Sequence, residues 1–167
     1  MRPEHVLAVP ENACGILIGM SLYRQQAQID APVETVWELL GDVNRHEEWW
    51  PRVIEVQCDG DLIEGCTYRM VAKGPMGEEE MNVGVERLDD CREILIRCVN
   101  TGTYCRWLLT EARGGTFIDA EFGIDPKAIA PRIWDVFAGR RYFRRWLEQS
   151  LQALEACAKS SSSAEAA

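Results

Sequence analysis

A chain of 167 residues with 47% apolar content can bury one core of ordinary size, so a single domain is expected. Its formal charge of −9 argues against a nucleic-acid backbone or an anionic membrane surface as the main partner, because both attract basic surfaces. No apolar run approaches the ~20 residues that span a bilayer, and Met1-Arg2-Pro3-Glu4-His5, followed by a short Ile16-Leu17-Ile18 between Gly15 and Gly19, makes a poor secretory signal.

Residues 1–20 read as an N-terminal extension whose order the sequence leaves open: a cover strand or a loose arm. Leu22 to Ile29 is the first strand, and Ile29-Asp30-Ala31-Pro32-Val33-Glu34-Thr35-Val36-Trp37-Glu38-Leu39-Leu40-Gly41-Asp42 turns it into a helix. Val33, Val36, Trp37 and Leu40 fall at i, i+3, i+4 and i+7, one apolar face. Asp30 is placed to accept from the first free amides, Pro32 suits the first turn, and Gly41 ends the helix. Asp42 starts a shorter helix, and Pro51 stops it by disfavouring helical geometry at Trp50.

Six further strands follow with explicit turns between them: Val53 to Cys58, Cys66 to Lys73, Glu79 to Leu88, Glu93 to Asn100, Tyr104 to Ala112 and Thr116 to Ile124. No helix separates them, which favours a curved antiparallel sheet of seven strands. From about Pro131 to Ala158 the chain reads as one helix, ~40 Å long by helical rise. Ile129, Ile133, Val136, Phe143, Leu147, Leu151, Leu154 and Ala158 gather on one stripe, with Arg140 in its middle. Arg141, Arg144 and Arg145 fall on the opposite side or flank, where Glu148 is a ready partner. Residues 160–167, four serines and then Ala-Glu-Ala-Ala, are too polar and simple to pack and read as a disordered tail.

This pattern resembles the START-like helix-grip superfamily, in particular its polyketide cyclase/dehydrase and lipid-transport (SRPBCC) branch. The resemblance runs from about Leu22 to Ala158, within a domain taken as 21–159. It implies an α+β helix-grip fold: a seven-stranded curved antiparallel sheet wrapped around a long C-terminal helix, with two short helices after the first strand, enclosing an internal cavity.

Strand parity names what such a cavity would meet. One face collects Tyr23, Gln25, Ala27, Tyr68, Met70, Met81, Val83, Val85, Ile94, Ile96, Trp107, Ile118, Ala120 and Phe122, while Arg69, Glu80, Glu86, Arg97, Arg106, Asp119 and Glu121 take the other. The expected ligand-binding set is therefore Trp50, Tyr68, Met70, Met81, Val83, Ile96, Trp107, Ala120, Phe122, Val136, Arg140 and Phe143. Tyr68 and Arg140 are its polar members, candidates to polarise a carbonyl or anchor a carboxylate, set against the plainer roles of a locally satisfied tyrosine and a snorkelling arginine. His46, in His46-Glu47-Glu48, offers proton transfer near the cavity mouth, although such residues in a short polar helix are commonly just solvated. Trp49 and Trp50 would pack the short helices onto the sheet.

Seven scattered cysteines, no Cys-x-x-Cys and two histidines give neither a disulfide scaffold nor a metal site, and buried thiols in a reducing cytoplasm are the simplest account. No cofactor motif is present. Three functions fit: a carrier or binding protein for a hydrophobic polyketide, lipid or isoprenoid-like molecule; a polyketide cyclase or dehydratase acting on a bound carbonyl chain; or an interaction module using Trp134 and Tyr142. Oligomeric state is left open by the sequence.

Overall fold

Seven antiparallel strands lie in the order β1-β7-β6-β5-β4-β3-β2, so the first strand closes against the last and the sheet keeps β1 and β2 as its edges. The computed structural model describes residues 23–74, 77–124 and 138–165. The strands are β1 (Tyr23–Ile29), β2 (Val53–Gln57), β3 (Thr67–Gly74), β4 (Gly77–Asp89), β5 (Glu93–Cys98), β6 (Thr103–Ala112) and β7 (Gly115–Ile124). Between β1 and β2 come α1 (Val33–Gly41), a 3-10 turn (Val43–Arg45) and α2 (His46–Trp49). α3 (Ala138–Glu165) closes the chain. The arrangement is the α+β helix grip.

Local chemistry accounts for the joints. Trp50 is already extended, with φ −82° and ψ 112°, as the residue before a proline prefers. Asp42 caps the 3-10 turn by accepting from the Asn44 amide at 3.2 Å. Asp30 does not cap α1: the cap position belongs to Pro32, which lies just before the helix and contributes no side-chain acceptor. Gly115, at φ +145°, lets the β6–β7 turn approach β1 so closely that a Cβ there would sit 2.1 Å from the Ile29 carbonyl oxygen.

The two faces separate as alternation requires. Ile118, Ala120, Phe122, Trp107, Ile94, Val85 and Met70 are buried on the concave side. The convex side carries paired charges, with Arg69 bridging Glu55 and Glu80 at 3.1 and 2.9 Å, and Arg106 reaching Glu93 at 2.8 Å. Two register shifts interrupt strict alternation. One in β2 lets both Val53 and Val56 point inward, and one in β4, between Val85 and Arg87, turns Leu88 towards the core.

α3 lays Phe143, Trp146, Leu147, Ser150, Leu151, Leu154 and Ala158 against this surface. The part of the expected helix from Pro131, and with it Ile129, Ile133, Trp134 and Val136, lies outside the described residues, as do residues 1–20. At the other end the helix continues through the serine run expected to be a disordered tail. The hydroxyls of Ser160, Ser161 and Ser162 donate to the carbonyls of Ala156, Cys157 and Ala158, so the helix itself absorbs their polarity.

Candidate functional site

The concave face is dominated by aromatic rings contributed from three layers. Trp107 on β6 and Phe122 on β7 form the floor, meeting edge to face at 5.4 Å. Trp50, delivered by the Pro51 stop, lies over them at 6.2 and 6.1 Å. It stacks on Trp49 at 5.8 Å and on Trp146 of α3 at 5.7 Å. Three of these indoles donate to the fold: Trp49 to the Leu39 carbonyl, Trp50 to Ser150 Oγ at 3.0 Å, and Trp146 to the Pro51 carbonyl at 2.8 Å.

The turn after Trp50 fastens the start of α3. Arg52 holds a left-handed φ of 77° with its guanidinium 4.5 Å over the Tyr142 ring, while the Tyr142 hydroxyl donates to the Lys73 carbonyl at 3.3 Å. Tyr142 is thus engaged within the fold, and Trp134, its expected companion in an interaction surface, is outside the described residues.

Three polar atoms in this apolar setting have no hydrogen-bond partner among the described residues: Tyr68 Oη, His46 Nδ1 and Gln25 Oε1. Tyr68 stands on β3 opposite Val83 and is 3% exposed. Burial holds its phenol well above its ordinary pKa of 10.0, with Cys105, Cys58 and Cys66 adding smaller effects in the same direction, so the hydroxyl stays protonated.

His46 is not the solvated residue its polar neighbours suggest. It is 2% exposed, packed edge-on to Trp49 and Trp50 at 5.6 and 5.0 Å, because the 3-10 turn rolls its side chain inward while Glu47 and Glu48 stay outside. Nε2 lies 3.0 Å from the Leu40 carbonyl, which only accepts, so Nε2 carries the proton and Nδ1 presents a lone pair. Burial is the largest influence on its pKa, lowered to about 4 against smaller opposing effects from the Leu40 carbonyl and Asp42.

Of the expected binding residues, Trp50, Tyr68, Met70, Val83, Ile96, Trp107, Ala120, Phe122 and Phe143 are brought together in one buried cluster, with Met81 half-buried beside it. Val136 lies outside the described residues. Arg140 is exposed. The first described turns of α3 face the sheet between Phe143 and Trp146, and at about 100° per residue Arg140 lies roughly 90° off that direction. The residues that sequence reasoning missed are Trp146 and Ser150, on the rim of the stripe, where only the reach of an indole and the small size of a serine hinted at inward placement.

A separate cleft of about 580 Å³ opens between the end of α1 with the 3-10 turn, the β2–β3 loop and the end of β4. Trp37, Val43, Leu62 and Leu88 supply its apolar lining, and Glu38, Asp42, Asp61, Asp90 and Arg45 its charged groups. None of the expected binding residues takes part. Trp37, assigned by spacing to the buried face of α1, is instead half-exposed, its ring running along Gly41, where a Cβ would sit 3.4 Å from the indole. Among the described residues no cluster suits a metal ion, and no helix is long and apolar enough to cross a membrane.

The family model for polyketide cyclase / dehydrase and lipid transport matches residues 20–159. The chain belongs to that family. Solved structures of similar shape include a START superfamily protein from Mycobacterium smegmatis, with TM-score 0.68 at 13% identity, covering 83% of this chain and 97% of that one. A Nitrosomonas europaea protein aligns with TM-score 0.65 at 14% identity over 85% of this chain and 96% of its own. The di-domain ARO/CYC StfQ from the steffimycin biosynthetic pathway aligns with TM-score 0.65 at 18% identity, over 86% of this chain and 52% of its own. No curated protein matches the chain. These likenesses establish the fold, and the family membership makes it a ligand-binding one.

Proposed function

We propose that this family member is a carrier or binding protein for a hydrophobic small molecule of polyketide, lipid or isoprenoid type, held between the concave face of the sheet and α3. The observation that carries the reading is the Tyr68 hydroxyl, a buried donor with no partner among the described residues, in the same buried cluster as Met70, Val83, Ile96 and Trp107. Leaving such a group unsatisfied costs about 1–3 kcal/mol, a penalty that a ligand oxygen would remove. A mostly apolar enclosure with a few oriented polar groups is the usual make-up of a small-molecule site.

The test is displacement of a fluorescent fatty acid by a matched pair, a fatty acid and the hydrocarbon of equal length, in the parent and in Tyr68→Phe. The variant should keep or raise the thermal midpoint and weaken the acid by about fivefold, one lost hydrogen bond, without changing the hydrocarbon. A folded parent that binds neither probe overturns the reading.

A second reading, cyclase or dehydratase action on a bound carbonyl chain, draws on the same hydroxyl. Held protonated by burial, it is a donor suited to polarising a carbonyl oxygen. Recovery of a model polyketone unchanged after incubation supports the carrier; a cyclised or dehydrated product lost in Tyr68→Phe supports the enzyme.

A further inference from the structure

The cleft beside α1 has a lining whose chemistry differs from that of the concave face. We infer that it takes an organic cation, an amine or quaternary ammonium group attached to an apolar body. Its volume of about 580 Å³ lies in the range of small-molecule sites. Trp37, Leu62 and Leu88 remain only partly buried around it, although each also packs against the core, so the cleft keeps apolar surface uncovered. An indole is the best aromatic partner for a cation, and that of Trp37 runs beside Gly41 at the end of α1, at ordinary contact distance from where a Cβ would sit.

Charge selects the ligand. The lining sets the carboxylates of Glu38, Asp42, Asp61 and Asp90 against a single guanidinium, Arg45. That guanidinium is already engaged, its Nη2 lying 3.1 Å from Glu48. The chain as a whole carries −9 and draws cations towards it from a distance. Anionic ligands meet repulsion here, and neutral ones gain only the apolar wall. None of the residues expected to bind on the concave face lines this cleft, although its Val43 belongs to the buried core and Trp37, Cys58, Leu62 and Leu88 pack against that core.

The experiment uses phenylbutylamine, phenylbutanol and phenylbutyrate, three probes with one apolar body and a positive, neutral or negative head. Binding is followed on the indole N–H resonances of the full chain, with that of Trp37 assigned through Trp37→Phe. The ammonium probe should shift the Trp37 resonance, bind about tenfold more tightly than the alcohol at low salt, and lose that advantage as ionic strength rises. Phenylbutyrate should be the weakest. Asp42→Asn with Asp61→Asn should cut ammonium binding about fivefold and leave the alcohol within about twofold, since asparagine still caps the 3-10 turn. Asp61→Asn alone, on an exposed loop, gives the same direction if the double variant folds poorly. Equal binding of the three probes, or shifts at Trp50 and Trp107 with Trp37 unmoved, overturns the assignment. Because the readout is at Trp37, failure here is distinguishable from failure of the Tyr68 site, which is read by fatty-acid displacement.

Discussion

The indole N–H of Trp50 donates to Ser150 Oγ at 3.0 Å, and the same hydroxyl donates to the Trp146 carbonyl at 2.7 Å. One fully buried serine thereby ties the end of α2 to α3 across the aromatic layer. Ser150→Ala improves local helix propensity yet leaves the Trp50 N–H buried without an acceptor. The expected cost is about 1–3 kcal/mol, a fall of roughly 2–10 °C in thermal midpoint. In Trp50→Phe, where no N–H remains to be orphaned, Ser150→Ala should cost much less. Equal costs in the two backgrounds would show that the bond contributes nothing.

His46 predicts acid sensitivity. Its native pKa of about 4 lies below the ordinary 6.5, so between those values the unfolded chain binds the proton and the native one does not. Stability is fully present above pH 6.5 and is lost as the pH falls towards 4, by on the order of 3 kcal/mol. His46→Gln keeps a donor for the Leu40 carbonyl and removes the titration. Thermal midpoints across this window should slope less in the variant than in the parent.

The assignment of sheet faces is tested by a pair of charges. Val83→Asp places an unpaired carboxylate at a position 4% exposed and should cost several kcal/mol. Glu86→Lys, on the convex face, only breaks the pairing with Arg97 and should cost about 1 kcal/mol or less. Similar midpoints for the two variants would contradict the concave core.

Neighbouring glycines should differ sharply. Gly114 has φ +87° and open space around it, so Gly114→Ala should cost about 1 kcal/mol. Gly115→Ala meets the Ile29 backbone as well as an adverse φ, and should cost on the order of 3 kcal/mol or more. Denaturant midpoints of the two variants measure the difference.

Most of the architecture was legible because it rests on short-range rules. Period-two alternation named Tyr68, Val83, Ile96, Trp107 and Phe122 as inward, and Pro51 announced the end of α2. The site was less legible because it depends on rotations that periodicity does not resolve. Arg140 shares the nominal stripe with Phe143 and Leu147, yet the sheet meets α3 on the Trp146 side. Trp37 sits at a core spacing, but the end of α1 has too little covering it to bury an indole. The β4 register shift turns Leu88 inward against the parity that Glu86 sets, and nothing in the local residues marks it. His46 needed the fold of the 3-10 turn to become buried.

The stacked rings have an optical consequence. Trp49, Trp50, Trp107 and Trp146 belong to one chain of contacts with centroid spacings of 5.7 to 6.2 Å, shorter than the range over which indole transitions couple. At such spacings the strong far-ultraviolet transitions of the indoles are expected to couple, giving signed circular-dichroism bands set by the relative tilt of the rings. Trp146 rides on α3 while the others ride on α2 and the sheet. A displacement of α3 thus changes the optical activity of the whole ensemble, and the seating of the helix can be watched without attaching a label.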